Sequence, residues 1–235
     1  MRKRLEEVKT ENTNPWWFIQ NRFGSEKEDV MKKSQIIFSR FSPIMAVDTP
    51  LHGSDGKKID TPRVCSLCRC GESGMKPHCD GTHAKVEFVG EREDSNKPDP
   101  EYYKGKYITI VFDRYLCMGV GYCGELETVF GTHDEPIYEP DAAPVEDIIA
   151  TIKRCPSGAL SYIIGNEHYT NYYSETRISV EKDGPLKCQG EITLIDDQDS
   201  DAFLPDADHF TLCRCGGSNK KPICDGSHEK NGFRG

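Results

Sequence analysis

Residues Leu67–Phe88 read LCRCGESGMKPHCDGTHAKVEF, and residues Leu212–Phe233 read LCRCGGSNKKPICDGSHEKNGF. The two stretches align without gaps and are identical at 14 of 22 positions. Each carries three cysteines and one histidine at the spacing C-x-C-x8-C-x3-H. The residues are Cys68, Cys70, Cys79 and His83 in the first copy, and Cys213, Cys215, Cys224 and His228 in the second. Three thiolates and one imidazole on one short loop close a four-ligand metal set. A repeat of this length means two copies of one structural unit. Upstream, Ile36, Phe38 and Pro43 echo Ile178, Val180 and Pro185, each in an alternating run that leads into a turn. Each half therefore reads as a short β unit followed by a ligand-bearing loop.

The loops have a local logic. Asp80 and Asp225 are good helix N-cap residues, and Gly81 and Gly226 permit a tight turn after them. A helix starting there carries the histidine and turns backbone N–H groups toward an anionic ligand. Ser73 and Ser218 are expected to bind at the same sites by donating hydrogen bonds to sulfur, which tunes potential. Cys65 has Phe210 opposite it in the alignment, so it and Cys188 read as thiols outside the ligand sets.

These residues resemble the CDGSH iron–sulfur (NEET) family, whose motif C-x-C-x2-[ST]-x3-P-x-C-D-G-[SAT]-H is matched at every position in both copies. The resemblance implies a Cys3His-bound, acid-labile [2Fe–2S] cluster in each loop. It also implies a β-rich fold in which two such units pair about a twofold axis, here within one chain. A Cys3His set is also a legitimate closed zinc site. The short C-x-C bite and the full motif match favour iron–sulfur over it.

The material between the repeats is different. Arg92–Glu101 (REDSNKPDPE) reads as a linker. Tyr107–Phe112 (YITIVF) and Leu160–Ile164 (LSYII) read as strands. Pro144–Arg154 reads as a helix with Pro144 in its first turn and Val145, Ile148, Ile149 and Ile152 on one face. Cys117, Cys123 and Cys155 sit in CMGVGYC and CPSGAL, and the C-P-x-x-A-L ending resembles the last cluster loop of small ferredoxins. The region as a whole is similar to the divergent mono-cluster ferredoxin domain. Val120 stands where the middle cysteine of a C-x2-C-x2-C loop falls. Three thiolates imply a [3Fe–4S] cluster, or a [4Fe–4S] cluster with one iron held otherwise; His133 is the nearest downstream histidine.

The expected fold class is α+β: two β-rich CDGSH units, over 1–98 and 171–235, paired by pseudo-twofold symmetry, with a small ferredoxin-like domain over 99–170. Mean hydropathy of −0.65 and 29% charged residues point to small domains stapled by metal rather than one large core. Eleven cysteines at fixed spacings, behind a start (MRKRLEEVKTEN) with no apolar h-region, read as reduced cytoplasmic ligands and not as a secreted disulfide framework. No apolar run reaches membrane-span length. The Trp16–Trp17 cluster reads as packing against the body of its domain.

A net charge of −9 argues against nucleic acid as a partner and suits a redox protein with a basic docking surface. No nucleotide-binding, nucleophile-elbow or zincin motif marks an enzyme. The expected function is electron transfer by a monomer. The alternatives are cluster donation, redox or pH sensing, and service as the electron-donating component of a larger oxidoreductase.

Overall fold

The computed structural model describes residues 33–91, 98–132, 136–196 and 207–235. The Trp16–Trp17 cluster, most of the linker and His133 lie outside the described residues. The alternation in Ser34–Phe38 (β1) turns Ile36 and Phe38 into the core. β1 pairs antiparallel with Ile44–Val47 (β2), and β2 with Val64–Leu67 (β5), which delivers Cys68. The second half repeats the arrangement. Arg177–Val180 (β10) pairs with Leu186–Gln189 (β11), and β11 with His209–Leu212 (β13), which delivers Cys213.

The halves are interleaved. Ile192–Asp196 (β12) belongs to the second half by sequence but lies parallel to β1. Leu51–His52 (β3) belongs to the first half but lies parallel to β10, with Lys58–Ile59 (β4) beyond it. Two sheets result, in the orders β12-β1-β2-β5 and β13-β11-β10-β3-β4. Each half completes the other's sheet, so the backbone hydrogen bonds of one depend on the presence of its neighbour.

A third sheet runs Glu101–Lys104 (β6), Thr109–Phe112 (β7), Leu160–Ile164 (β8) and Glu167–Tyr169 (β9), all antiparallel. The expected strand from Tyr107 begins at Thr109, and Tyr107 is exposed. Glu101, read as linker, opens β6; its EYYK stretch lies at a sheet edge, largely exposed, and so carries no alternating apolar signal. The helix forms over Val145–Ile152 with Pro144 at its N-cap, and Ile148 and Ile152 are buried. The other helices among the described residues are single turns, at Thr82–Lys85, Glu127–Phe130 and Ser227–Lys230, with a 3-10 turn at Tyr122–Leu126. The described chain is thus mostly β with few short helices. No helix among the described residues is long and apolar enough to cross a membrane.

Candidate metal centres

Each CDGSH loop is folded by the same backbone bonds. The Cys68 N–H donates to the Pro77 carbonyl and the Cys79 N–H to the Ser66 carbonyl, at 2.8 and 2.9 Å. In the second copy Cys213 donates to Pro222 and Cys224 to Thr211, at 2.8 and 3.0 Å. These bonds draw the C-x-C pair and the C-x3-H pair to one end of the loop.

There the ligands stand two by two. Cys68 and Cys70 Sγ are 3.9 Å apart, and Cys79 Sγ lies 3.2 Å from His83 Nδ1. The second copy gives 3.7 Å for Cys213–Cys215 and 3.5 Å for Cys224–His228. At a tetrahedral metal with M–S about 2.3 Å and M–N about 2.0 Å, two sulfurs stand about 3.8 Å apart and a sulfur and nitrogen about 3.5 Å. The residues fit a group with two metals, one held by each pair. Among the described residues no three of His, Cys, Asp and Glu close on a single ion.

Electrostatics agree. Burial pushes the Cys70 thiol up to about 11, with the neighbouring Cys68 adding to the effect. In the second copy a hydrogen bond from Cys213 pulls Cys215 down to about 6, helped by the Gly217 N–H and the Asn231 side chain, while Cys213 is raised. In each pair the two sulfurs stand within hydrogen-bonding reach, and a bound cation displaces their protons.

Two expectations need correction. Gly81 and Gly226, left-handed at φ 86° and 85°, occupy the N-caps, one residue after the aspartates. Asp80 instead accepts from the Thr82 hydroxyl and from the N–H groups of Thr82 at 3.0 Å and Gly74 at 2.8 Å, which hold its carboxyl well below the usual range. Asp225 does the same with Ser227 and Asn219. The Ser73 and Ser218 side chains do not donate to sulfur, although the Ser218 backbone N–H faces Cys213. Their hydroxyls donate to the carbonyls of His78 and Ile223 at 2.6 and 2.7 Å, pinning the loop, because each oxygen sits inside the turn it closes. Sulfur is addressed by backbone instead: Gly81 N–H to Cys79 and Gly217 N–H to Cys215, each at 3.4 Å. Cys65 lies 3.4 Å from His78 Nδ1, and Cys188 is wholly buried in β11, its thiol pushed up by desolvation.

The central site joins Cys117, Cys123 and Cys155 around one cavity that Val120, Phe112 and Leu160 also line. Burial raises the Cys117 and Cys123 thiols, and mutual repulsion with Cys155 adds to it. A cationic core in the cavity would relieve that repulsion, and because the three thiols do not close on a single ion, the donor set fits a multinuclear group. Ser157 Oγ lies 3.6 Å from Cys155 Sγ, and the Gly119 N–H faces Cys117.

Several functional residues escaped the sequence reading. Arg69 and Arg214, the middle residues of the two C-R-C runs, are almost wholly buried. Arg214 donates to the carbonyls of Gly184, Glu181 and Gly235, and its guanidinium charge acts on both Cys68 and Cys215. The identical arginine in both copies was the available signal. Asn231, which faces Cys215, stands opposite Val86 in the alignment, and nothing in the repeat pattern marked it.

The three sites adjoin. Cys70 and Cys215 form a reciprocal backbone bridge, and a Cβ on Gly71 or Gly216 would meet the other copy's carbonyl at 2.6 or 2.5 Å. Lys220 donates to the carbonyls of Arg114 and Tyr115 at 3.1 Å each, and a Cβ on Gly226 would strike the Met118 carbonyl, beside Cys117. A Cβ on Gly158, in the Cys155 turn, would meet the His209 carbonyl at 2.7 Å.

Comparison with known families agrees with this arrangement. Residues 43–84 and 183–229 match the family described as an iron-binding zinc finger of CDGSH type, and residues 103–165 match the divergent 4Fe-4S mono-cluster family. Neither a curated protein nor a solved structure matches the chain. The chain is therefore an iron–sulfur protein that carries two CDGSH-type regions flanking a divergent 4Fe-4S mono-cluster region.

Proposed function

We propose that the chain is an electron relay, with a [2Fe–2S] cluster in each CDGSH loop and a [3Fe–4S] cluster in the central cavity. The observation that carries this reading is the contact between neighbouring site loops: Cys70 against Cys215, and Met118 against Gly226. The clusters supply one-electron redox chemistry at a potential set by ligand type, hydrogen bonds and exposure. The protein supplies the rest. Cys68, Cys70, Cys79 and His83, and their counterparts in the second copy, would hold the two outer groups. Cys117, Cys123 and Cys155 hold the central one, and the apolar wall at Val120 leaves it a thiolate short. Gly81 and Gly217 direct N–H groups at sulfur, and Arg214 places a buried positive charge between the two outer sites.

The reciprocal strand exchange supports a pseudo-twofold axis through the Cys70–Cys215 bridge. The reading has no substrate turnover in it, and it places the protein in the reducing cytoplasm, where free thiols persist. Its partner is a redox protein that an acidic surface would steer by a basic face.

Anaerobic purification with iron and sulfide counts, followed by an EPR-monitored redox titration, tests it. The expected result is one EPR-active cluster in the oxidised protein and two more on reduction, with reversible cycling and magnetic coupling between neighbours. Zinc without sulfide would end the proposal. Cluster loss on a single redox cycle would favour cluster donation over electron transfer.

A further inference from the structure

The two CDGSH loops are close copies in sequence, but their histidine sides stand in different surroundings. In the second copy Cys224 and His228 are buried, at 2% and 8% exposure. In the first, Cys79 and His83 are half-exposed. On the C-x-C side the contrast does not recur: Cys68 and Cys213 are equally buried, and Cys215 is somewhat more exposed than Cys70.

Its cause is the central region. Lys220 reaches from the second loop to the Arg114 and Tyr115 carbonyls and lies over the Tyr115 ring at 5.4 Å. Gly226 fits under the Met118 carbonyl with no room for a Cβ. The corresponding residues of the first loop are Met75, which is 65% exposed, and Gly81, which has nothing within 4 Å of a Cβ position. Pro77 and His78 are half-buried where Pro222 and Ile223 are buried.

We infer that the two outer sites are unequal: the central region is a lid on the second, and the first is the port at which the protein exchanges with its surroundings. This rests on the reading that both loops hold clusters. The lid also gives the relay an order. The second site lies between the central site and the first, touching the former through Met118 and Gly226 and the latter through Cys70 and Cys215. The first site then faces outward at the far end. The loops' own motif residues do not decide this. The decision falls at positions where the motif is indifferent: Lys220 against Met75 is one such pair.

The test uses the full-length, cluster-loaded protein at neutral pH with ethylenediaminetetraacetate as the probe. Iron passes to the chelator and sulfide leaves as hydrogen sulfide, without a change in the oxidation state of either. A site that must open locally before the probe can enter is protected by the free energy of opening. The two [2Fe–2S] clusters should therefore be lost in separate phases, the second about tenfold or more slower than the first. After the fast phase, thiol alkylation and peptide mapping should find Cys68, Cys70 and Cys79 labelled and Cys213, Cys215 and Cys224 protected.

Two variants test the cause. Lys220→Met puts the first loop's residue into the second and should draw the slow phase toward the fast one, with Met75→Lys leaving the fast phase where it was. Gly226→Ala should do the same as Lys220→Met. Equal loss of both clusters, or labelling of both cysteine sets together, overturns the inference while the cluster reading stands. Protein without iron and sulfide at the start overturns the cluster reading itself.

Discussion

Asn231 and Val86 occupy equivalent positions in the two repeats, yet only Asn231 can donate to a ligand sulfur. A donor to sulfur stabilises the more negative, reduced cluster and raises its potential. Asn231→Val should therefore lower the potential of the second site by roughly 40 mV, the one-electron equivalent of about 1 kcal/mol of differential hydrogen bonding. Val86→Asn should raise that of the first, and redox titration of each variant checks both signs. No movement at either site would mean that the amide does not reach the sulfur when the cluster is bound. Val120 is the second decisive residue, since it lines the central cavity beside three thiols. Val120→Cys adds a fourth thiolate of slightly smaller volume, so packing should tolerate it. The site should then take four irons, silencing the oxidised EPR signal and lowering the potential. Wild-type protein that holds four irons there in air would refute the three-iron assignment.

At the level of elements, the ligand loops are tied to the backbone behind them by buried arginines. Arg214 ties Glu181, Gly184 and Gly235 together by their carbonyls, and its guanidinium lies 5.0 Å over the Phe233 ring. Replacing it with methionine keeps much of the volume but leaves the buried Gly184 carbonyl without its donor, at a cost of about 1–3 kcal/mol, while the Glu181 and Gly235 carbonyls keep backbone N–H partners. Arg214→Met should thus destabilise the fold by about 1–3 kcal/mol in denaturant unfolding and lower the potentials of the outer sites by removing a positive charge. Arg214→Lys should not restore stability, because an ammonium cannot span three carbonyls in a planar fork. A loss under about 1 kcal/mol in the methionine variant would contradict this account.

At the level of the whole molecule, the exchange of β3 and β12 makes the two CDGSH halves mutually dependent. A chain ending at residue 170 leaves β1 without its parallel neighbour, and Ile36 and Phe38 without part of their cover. Such a chain should dimerise, with a second copy's first half supplying the missing strand, or fail to hold iron at the first site. Sedimentation with iron analysis decides the matter. An iron-loaded monomer would show that the halves are separable modules.

The sequence by itself determined the three cysteine-bearing regions proposed as metal sites, the leading strand of each repeat, and a helix read over Pro144–Arg154 that forms over Val145–Ile152. These follow from spacing and periodicity, which are local. What the tertiary structure decided was everything that depends on a distant neighbour. The Ser73 and Ser218 hydroxyls turn inward because a carbonyl five residues on comes within 2.6–2.7 Å once the loop has closed. The edge strand Glu101–Lys104 exists because β7 offers it a ladder, not because its side chains alternate. The unequal exposure of His83 and His228 arises from Lys220 and Gly226 meeting backbone more than 100 residues away in sequence. A repeat fixes what two loops share, whereas the packing of a third element fixes how they differ.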